Sequence, residues 1–336
     1  HLQQLTCLEL SLIEPEGPSQ GQPALQPLQA LTQLVDLSVH LCIATVASIG
    51  PTHSFTASML SGTHHLTRLE LSHCKLEPST LAGKTLLQHL HLQACDLPRS
   101  ASGVEQLLCH MQPLQQLTQL HLVGTLTAVE GTIPASAYSA LTASSRLQRL
   151  DMHSVTLPTG AWQHVFPDGR RLPYLQELLL QNIRQPGGVA ASAPEGNRLV
   201  SCCPGLQFLY IWYLKCDAGL LAPMQGLSRL HHFVLHVGKD CTVEGWELVS
   251  QLTQLKVLRL CIPVTTEGLL QLTQLRQLTY LQFEDPLDGP STPGVAYTSF
   301  EAHTKVGCTP CNLWEVARHL KLLRSACFTT AWLSLM

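Results

Sequence analysis

Charge is scarce in this chain. Asp, Glu, Lys and Arg together make up 13% of its 336 residues, and the formal net charge is −3. No basic block occurs, so nucleic acid and anionic membrane surfaces are poor partners. No apolar run approaches the roughly 20 residues of a membrane-spanning helix. Aromatics are few: seven Phe, five Trp and six Tyr. Asn182, Asn197 and Asn312 are the three asparagines, and none begins an Asn-x-Ser/Thr acceptor for N-glycosylation. The 13 cysteines are odd in number and follow no spacing framework, which argues against a disulfide scaffold. An intracellular, cytoplasmic setting is the expectation from these absences.

Leucine at fixed intervals is what the chain has. Leu66 to Leu76 reads LTRLELSHCKL, and Leu87 to Leu97 reads LQHLHLQACDL. Leu69 and Leu71 are two apart, so on an extended chain they share a face, while Arg68, Glu70 and Ser72 share the other. Leu66 enters the core before the strand and Leu76 after it. One such unit cannot bury its leucines; stacked copies cover one another. Further copies begin at Leu5, Leu34, Leu117, Leu147, Leu175, Leu206, Leu230, Leu255 and Leu278, which makes eleven with steps of 21 to 32 residues. The local period of two excludes a generic leucine-rich helical protein.

The pattern L-x-x-L-x-L-x-x-C-x-L resembles the leucine-rich repeat. That resemblance implies an α/β fold, a horseshoe solenoid of about eleven repeats. A parallel sheet would line its concave face, with short helices and loops on the convex side. It also implies that Cys42, Cys74 and Cys95 point inward and bond to backbone where the strand turns away. Buried thiols fit a reducing compartment. The Cys203-Pro204-x-Leu206-x-x-Leu209 motif resembles the cysteine-containing repeat subclass of F-box adaptor proteins. The LTQL runs at Leu31, Leu117, Leu252 and Leu272 resemble the large repeat families of green algae. The first resemblance implies the substrate-recognition arm of an SCF-type ubiquitin ligase, with no F-box in this chain. The second implies a cytoskeletal or ciliary axoneme setting.

The expected organisation is a repeat domain over 1–286 and a C-terminal cap or poorly ordered tail over 287–336, with a helix over 313–328. The chain starts at His1 inside a repeat with no polar cap over it, and the expectation is a fragment or an imperfect gene model. Phe55, Met59 and Leu60 suit one turn of helix. Val104, Leu107, Leu108 and Met111 have helical spacing, with Ser102 as N-cap and Pro113 as stop. Pro134–Leu141, Thr242–Leu252 and Thr265–Leu272 read as short helices. Trp162, Val165 and Phe166 form a bulky cluster, and 184–198 reads as a polar surface loop.

Chemistry is hard to find. Gly83-Lys84-Thr85 lacks the glycine a phosphate loop needs, because position 78 is Pro. Cys308-x-x-Cys311 is half a zinc site, with His303 and His319 as possible completions. His89, His91, His121 and His153 lie outward on successive strands, about 4.8 Å apart across strands and 6.7 Å along one. Three could meet a metal, but Glu9, Glu70 and Asp151 are read as strands apart, with no carboxylate placed to orient the imidazoles. A zinc-dependent enzyme at this cluster is the remote alternative. No metal, cofactor or nucleophilic triad is expected, and no enzyme.

The outward residues carry the functional expectation. The early strands present charge of both signs: Asp36, Arg68, Glu70, Arg149 and Asp151. The later ones present Leu179, Phe208, Tyr210, Trp212, His232, Val234, His236, Val257 and Tyr280. Phe208, Tyr210 and Trp212 alternate on one strand whose inward set is already Leu206, Leu209, Ile211 and Leu214. An exposed aromatic patch marks an interaction site. The expected partner is another protein, bound on the concave face by Phe208, Tyr210, Trp212, His232, Val234, His236, Leu179 and Tyr280. No nucleic acid, membrane insertion or small-molecule substrate is expected.

Overall fold

Each repeat start is followed by a strand, and within each of two units the strands stack in chain order. A computed structural model of the chain describes residues 4–13, 28, 30–42, 54–56, 58–98, 100–127, 133–185, 192–212, 218–236, 243–261 and 266–283. Region 287–336, with its expected helix and Cys308 and Cys311, lies outside the described residues. So does the side chain of Cys42. Two compact units are present: His1–Val189 with Ser201–Cys203, and Ala190–Val200 with Pro204–Met336.

The first unit carries seven long parallel strands. They are β1 (Cys7–Ile13), β2 (Asp36–Cys42), β4 (Arg68–Ser72), β6 (His89–Gln93), β7 (Gln119–Val123), β8 (Arg149–His153) and β9 (Glu177–Gln181). Two short strands, β3 (Ser54–Phe55) and β5 (Lys75–Leu76), pair with each other. Phe55 is therefore extended rather than helical, although Phe55 and Leu60 are both buried as expected of core residues.

Backbone bonds repeated from strand to strand fix the register. The carbonyl of Val35 accepts from the N–H groups of Thr67 and Arg68 at 2.8 and 3.1 Å. The carbonyls of Thr67, Gln88, Thr118 and Gln148 each accept the same pair of bonds from the next repeat. The threonine of the motif has a reason: the Thr67 hydroxyl donates to the Val35 carbonyl at 3.3 Å and that of Thr118 to the Gln88 carbonyl at 3.1 Å. Strands β4, β6, β7, β8 and β9 are each followed by a left-handed residue: His73, Ala94, Gly124, Ser154 and Asn182, with φ between 47° and 63°. For a side chain bearing Cβ that conformation costs on the order of 1 kcal/mol. It is offset because the N–H it turns outward reaches the next strand, as from His73 to the Gln93 carbonyl at 2.8 Å.

The leucines fill the interior. Leu69, Leu71, Leu90, Leu92, Leu120, Leu122, Leu150 and Leu178 are buried, each worth about 1.5–3 kcal/mol of transfer free energy. Helix α1 (Ala101–Met111) lays Val104, Leu107, Leu108 and Met111 on that core. Its cap is Ser100, whose hydroxyl accepts from the Gly103 N–H at 3.3 Å, not Ser102. A 3-10 turn covers Ala135–Thr142. Helix α2 (Trp162–Val165) brings Trp162 and Phe166 into a stack at 5.7 Å. Lys84 is only 4% exposed; its ammonium donates to the carbonyls of Leu60 and of Thr63. Burial lowers its pKa. The lysine of the GKT tripeptide thus closes a turn.

The second unit has four parallel strands: β10 (Phe208–Trp212), β11 (His232–His236), β12 (Val257–Cys261) and β13 (Tyr280–Phe283). Its helices are α3 (Ala193–Cys202, the last two residues belonging to the first unit), α4 (Ala218–Leu221), α5 (Val243–Ser250) and α6 (Thr266–Gln271). Helix α3 corrects the loop expected over 184–198. Ser192 and Glu195 make the carboxylate arm of a capping box: the Glu195 carboxylate accepts from the Ser192 N–H at 2.9 Å and from the Ser192 hydroxyl at 2.7 Å. Helix α6 approaches α5 through Gly268, where a Cβ would lie 2.4 Å from the Trp246 ring.

Eleven strands follow eleven repeat starts, and the fold is a leucine-rich repeat solenoid. Among the described residues no helix is long and apolar enough to cross a membrane.

Candidate functional site

The strand residues that alternate with the buried leucines form a second face, and register decides which of them meet. In the first unit one row runs Asp36, Arg68, His89, Gln119, Arg149, Glu177. The next runs Glu9, Ser38, Glu70, His91, His121, Asp151, Leu179. The two arginines each sit among two carboxylates. Arg68 bonds Glu70 at 2.7 Å and lies 3.8 Å from Asp36; Arg149 bonds Glu177 at 2.7 Å and lies 3.8 Å from Asp151. Burial pushes the Glu70 carboxyl up, but the bond and charge of Arg68, helped by His91 and Ser38, hold it below the ordinary value.

The four outward histidines do not converge. His89 belongs to the first row, and His153 pairs with Val123 and Gln181. His91 and His121 are neighbours, with ring centroids 5.4 Å apart. Among the described residues no group of three or more His, Cys, Asp or Glu could hold a metal ion. One detail corrects the sequence reading. Asp151 lies beside His121 on the adjacent strand, with Oδ2 3.3 Å from Nδ1, and Glu70 pairs with His91. Carboxylates therefore bracket the two imidazoles. Burial lowers the His91 pKa, and so does His121, against Glu70 and Asp151. Counting equal repeat positions (70, 91, 121, 151) would have found the row.

Seven of the eight expected partner-binding residues belong to the second unit; Leu179 belongs to the first and is half-buried there. On β10 the burial alternates as the pattern requires. Leu209 and Ile211 are buried in the core, and Phe208, Tyr210 and Trp212 are half-buried on the other face. Tyr210 and Trp212 stack at 5.7 Å with planes 6° apart. The Phe208 ring meets His232 at 4.4 Å, and Trp212 meets His236 at 4.2 Å. Arg259, which the sequence reading did not single out, sits over the Tyr280 ring at 5.3 Å. Its signal was the middle outward position of LKVLRL. Nothing acidic occurs among the described outward residues of these four strands.

Two members of the expected exposed patch are not exposed. Val234 is 4% and His236 2% exposed. Val234 lies in register between the longer Tyr210 and Arg259, and Trp212 lies against His236, so larger neighbours take the surface. Burial, with the charge of Arg259 for His232, drops the pKa of both His232 and His236 to about 4. Both imidazoles are neutral at pH 7. The result, among the described outward residues of these strands, is a strip of rings with one cation, suited to flat apolar contact.

No protein-family model matches the sequence, and no curated protein matches it. Among solved structures, the crystal structure of an internalin from Listeria monocytogenes is similar in fold, with a TM-score of 0.50 and 15% sequence identity. The likeness covers 85% of this chain and 84% of that one. At that identity it speaks to the fold alone.

Proposed function

We propose that this chain is a non-catalytic scaffold that binds another protein through the outer strand face of its second unit. The observation that carries the reading is the alternation on β10. Three of the chain's 18 aromatics occupy one strand, on the side away from a core already filled by Leu209 and Ile211. Rigid aromatics pre-arranged by mutual stacking lose little entropy on binding and are favoured anchors. Phe208, Tyr210, Trp212, His232 and Tyr280 supply the surface. His236 lies beneath that surface against Trp212, and Val234 is buried in register between Tyr210 and Arg259. Free buried thiols at Cys74 and Cys95 suit a cytoplasmic setting, and a cytoskeletal or axonemal one rests on the algal resemblance.

A second reading has its own observation. Cys203, at the head of the Cys-Pro-x-Leu motif that resembles the repeat subclass of F-box adaptors, is fully buried. On that reading the bound protein is a ubiquitin-ligase substrate. The test of the main reading is affinity capture from extract with the wild type and with a folded Phe208→Ala/Tyr210→Ala/Trp212→Ala variant. A protein captured by the wild type and lost from the variant supports it. Identical capture by both removes the face from consideration. A captured ligase substrate selects the second reading.

A further inference from the structure

Two thiols of the first unit face each other across a repeat boundary, and their surroundings point to chemistry that binding does not use. Cys74 and Cys95 hold the same position in consecutive repeats, 21 residues apart, and their sulfurs are 3.6 Å apart. The backbone fixes them opposite one another. The Asp96 N–H donates to the Cys74 carbonyl at 2.9 Å, and the Leu76 N–H donates to the Asp96 carbonyl at 2.8 Å. Paired strands lie about 4.8 Å apart, inside the roughly 4.4–6.8 Å Cα window of disulfides. The sulfurs need to close by about 1.6 Å to reach bonding distance, a modest χ1 rotation on each side. Among the described residues no other cysteines face each other in this way. The next repeat puts Thr125 in the position, with its hydroxyl on the Leu92 carbonyl, and Cys7 and Cys109 are exposed and apart. Cys202 and Cys203 are chain neighbours.

We propose that Cys74 and Cys95 are a redox modification site, at which a small peroxide closes a disulfide that staples the third repeat to the fourth. One sulfur of the pair attacks hydrogen peroxide, giving a sulfenic acid and one water. The other sulfur then attacks the sulfenic sulfur, forming the S–S bond; the hydroxyl leaves with the second thiol's proton as a second water. The two thiols lose two electrons and the peroxide gains them. Either sulfur can donate to the other, and the Cys95 thiol also donates to the Leu71 carbonyl at 3.3 Å, so the geometry brings the pair together without fixing which sulfur reacts first. Cys74 is 0% and Cys95 2% exposed, so the oxidant must be about the size of water and enter on local opening. A bulky disulfide reagent is excluded, and the pair reacts more slowly than Cys7 and Cys109.

Peptide mapping of the full chain tests this. Reduced protein is treated with hydrogen peroxide, quenched, unfolded, alkylated and cut with trypsin. Cys74 falls in peptide 69–75 and Cys95 in peptide 85–99. The expected product is these two peptides joined, lighter by two hydrogens than their sum. The thermal midpoint should rise by roughly 5 °C in oxidised wild type and stay put in peroxide-treated Cys95→Ser or Cys74→Ser. Both peptides recovered fully alkylated, or Cys74 joined instead to Cys42, would overturn the proposal. The mapping stands on the wild type alone if neither variant folds.

Discussion

Lowering the pH from 7 to 5 should destabilise this protein through histidines that stay neutral when folded. Burial holds His232 and His236 at about 4, against 6.5 for a free imidazole. Between pH 6.5 and 4 the unfolded chain binds protons that the folded one refuses. Stability is therefore fully present above pH 6.5 and is lost as the pH falls through that window. Each unit of displacement corresponds to about 1.4 kcal/mol. At pH 5, 1.5 units below the free value, buried His236 accounts for about 2 kcal/mol. His232 is only half-buried, so water screens its imidazole and its share is about 0.5–1 kcal/mol. The ordinary carboxylates are still mostly ionised at pH 5, and their small loss is common to wild type and variant. The assay is urea unfolding followed by tryptophan fluorescence at pH 7 and pH 5, in wild type and in His236→Phe. Phe keeps a ring against Trp212 and removes the proton site. The wild type should lose about 2 kcal/mol more than the variant between the two pH values. Equal losses would refute the burial of His236 and the stacking that causes it.

Three further outcomes follow from the packing. Leu90→Ala removes a fully buried side chain and should cost about 2–5 kcal/mol in urea unfolding. Arg68→Ala, one strand away, should cost about 1 kcal/mol or less, because its ion pair with Glu70 is solvent-exposed. Gly268→Ala adds helix propensity worth about 1 kcal/mol, yet its Cβ would fall 2.4 Å from the buried Trp246 ring. The clash should win by about 1–3 kcal/mol in a thermal melt, and a stabilised variant would contradict the α5–α6 contact.

Much of this was legible in the sequence because one signal dominated it. Leucines two apart can only share a face on an extended chain, so strands, core residues and outward rows all followed from Leu69 and Leu71 and their repeats. The capping box at Ser192 and Glu195 was missed because the segment was judged by its small, polar composition. Two side chains three residues apart, not composition, start that helix. The His121–Asp151 contact was missed because uneven steps of 21 to 32 residues hide which outward positions adjoin; stacking brings equal repeat positions together whatever the loops between them do. The burial of Val234 and His236 was not legible at all. It depends on the size of Tyr210, Trp212 and Arg259 on the flanking strands, which no single strand's pattern contains.

The proposed binding face stands on the alternation along β10, and paired alanine substitutions in that strand test it most directly. Leu209→Ala and Tyr210→Ala are adjacent in sequence and opposite in orientation. Leu209→Ala should lose about 2–5 kcal/mol in urea unfolding, and Tyr210→Ala about 1 kcal/mol, the worth of its contact with Trp212. If Tyr210→Ala instead costs as much as Leu209→Ala, Tyr210 is a core residue, and the aromatic face is not available to a partner.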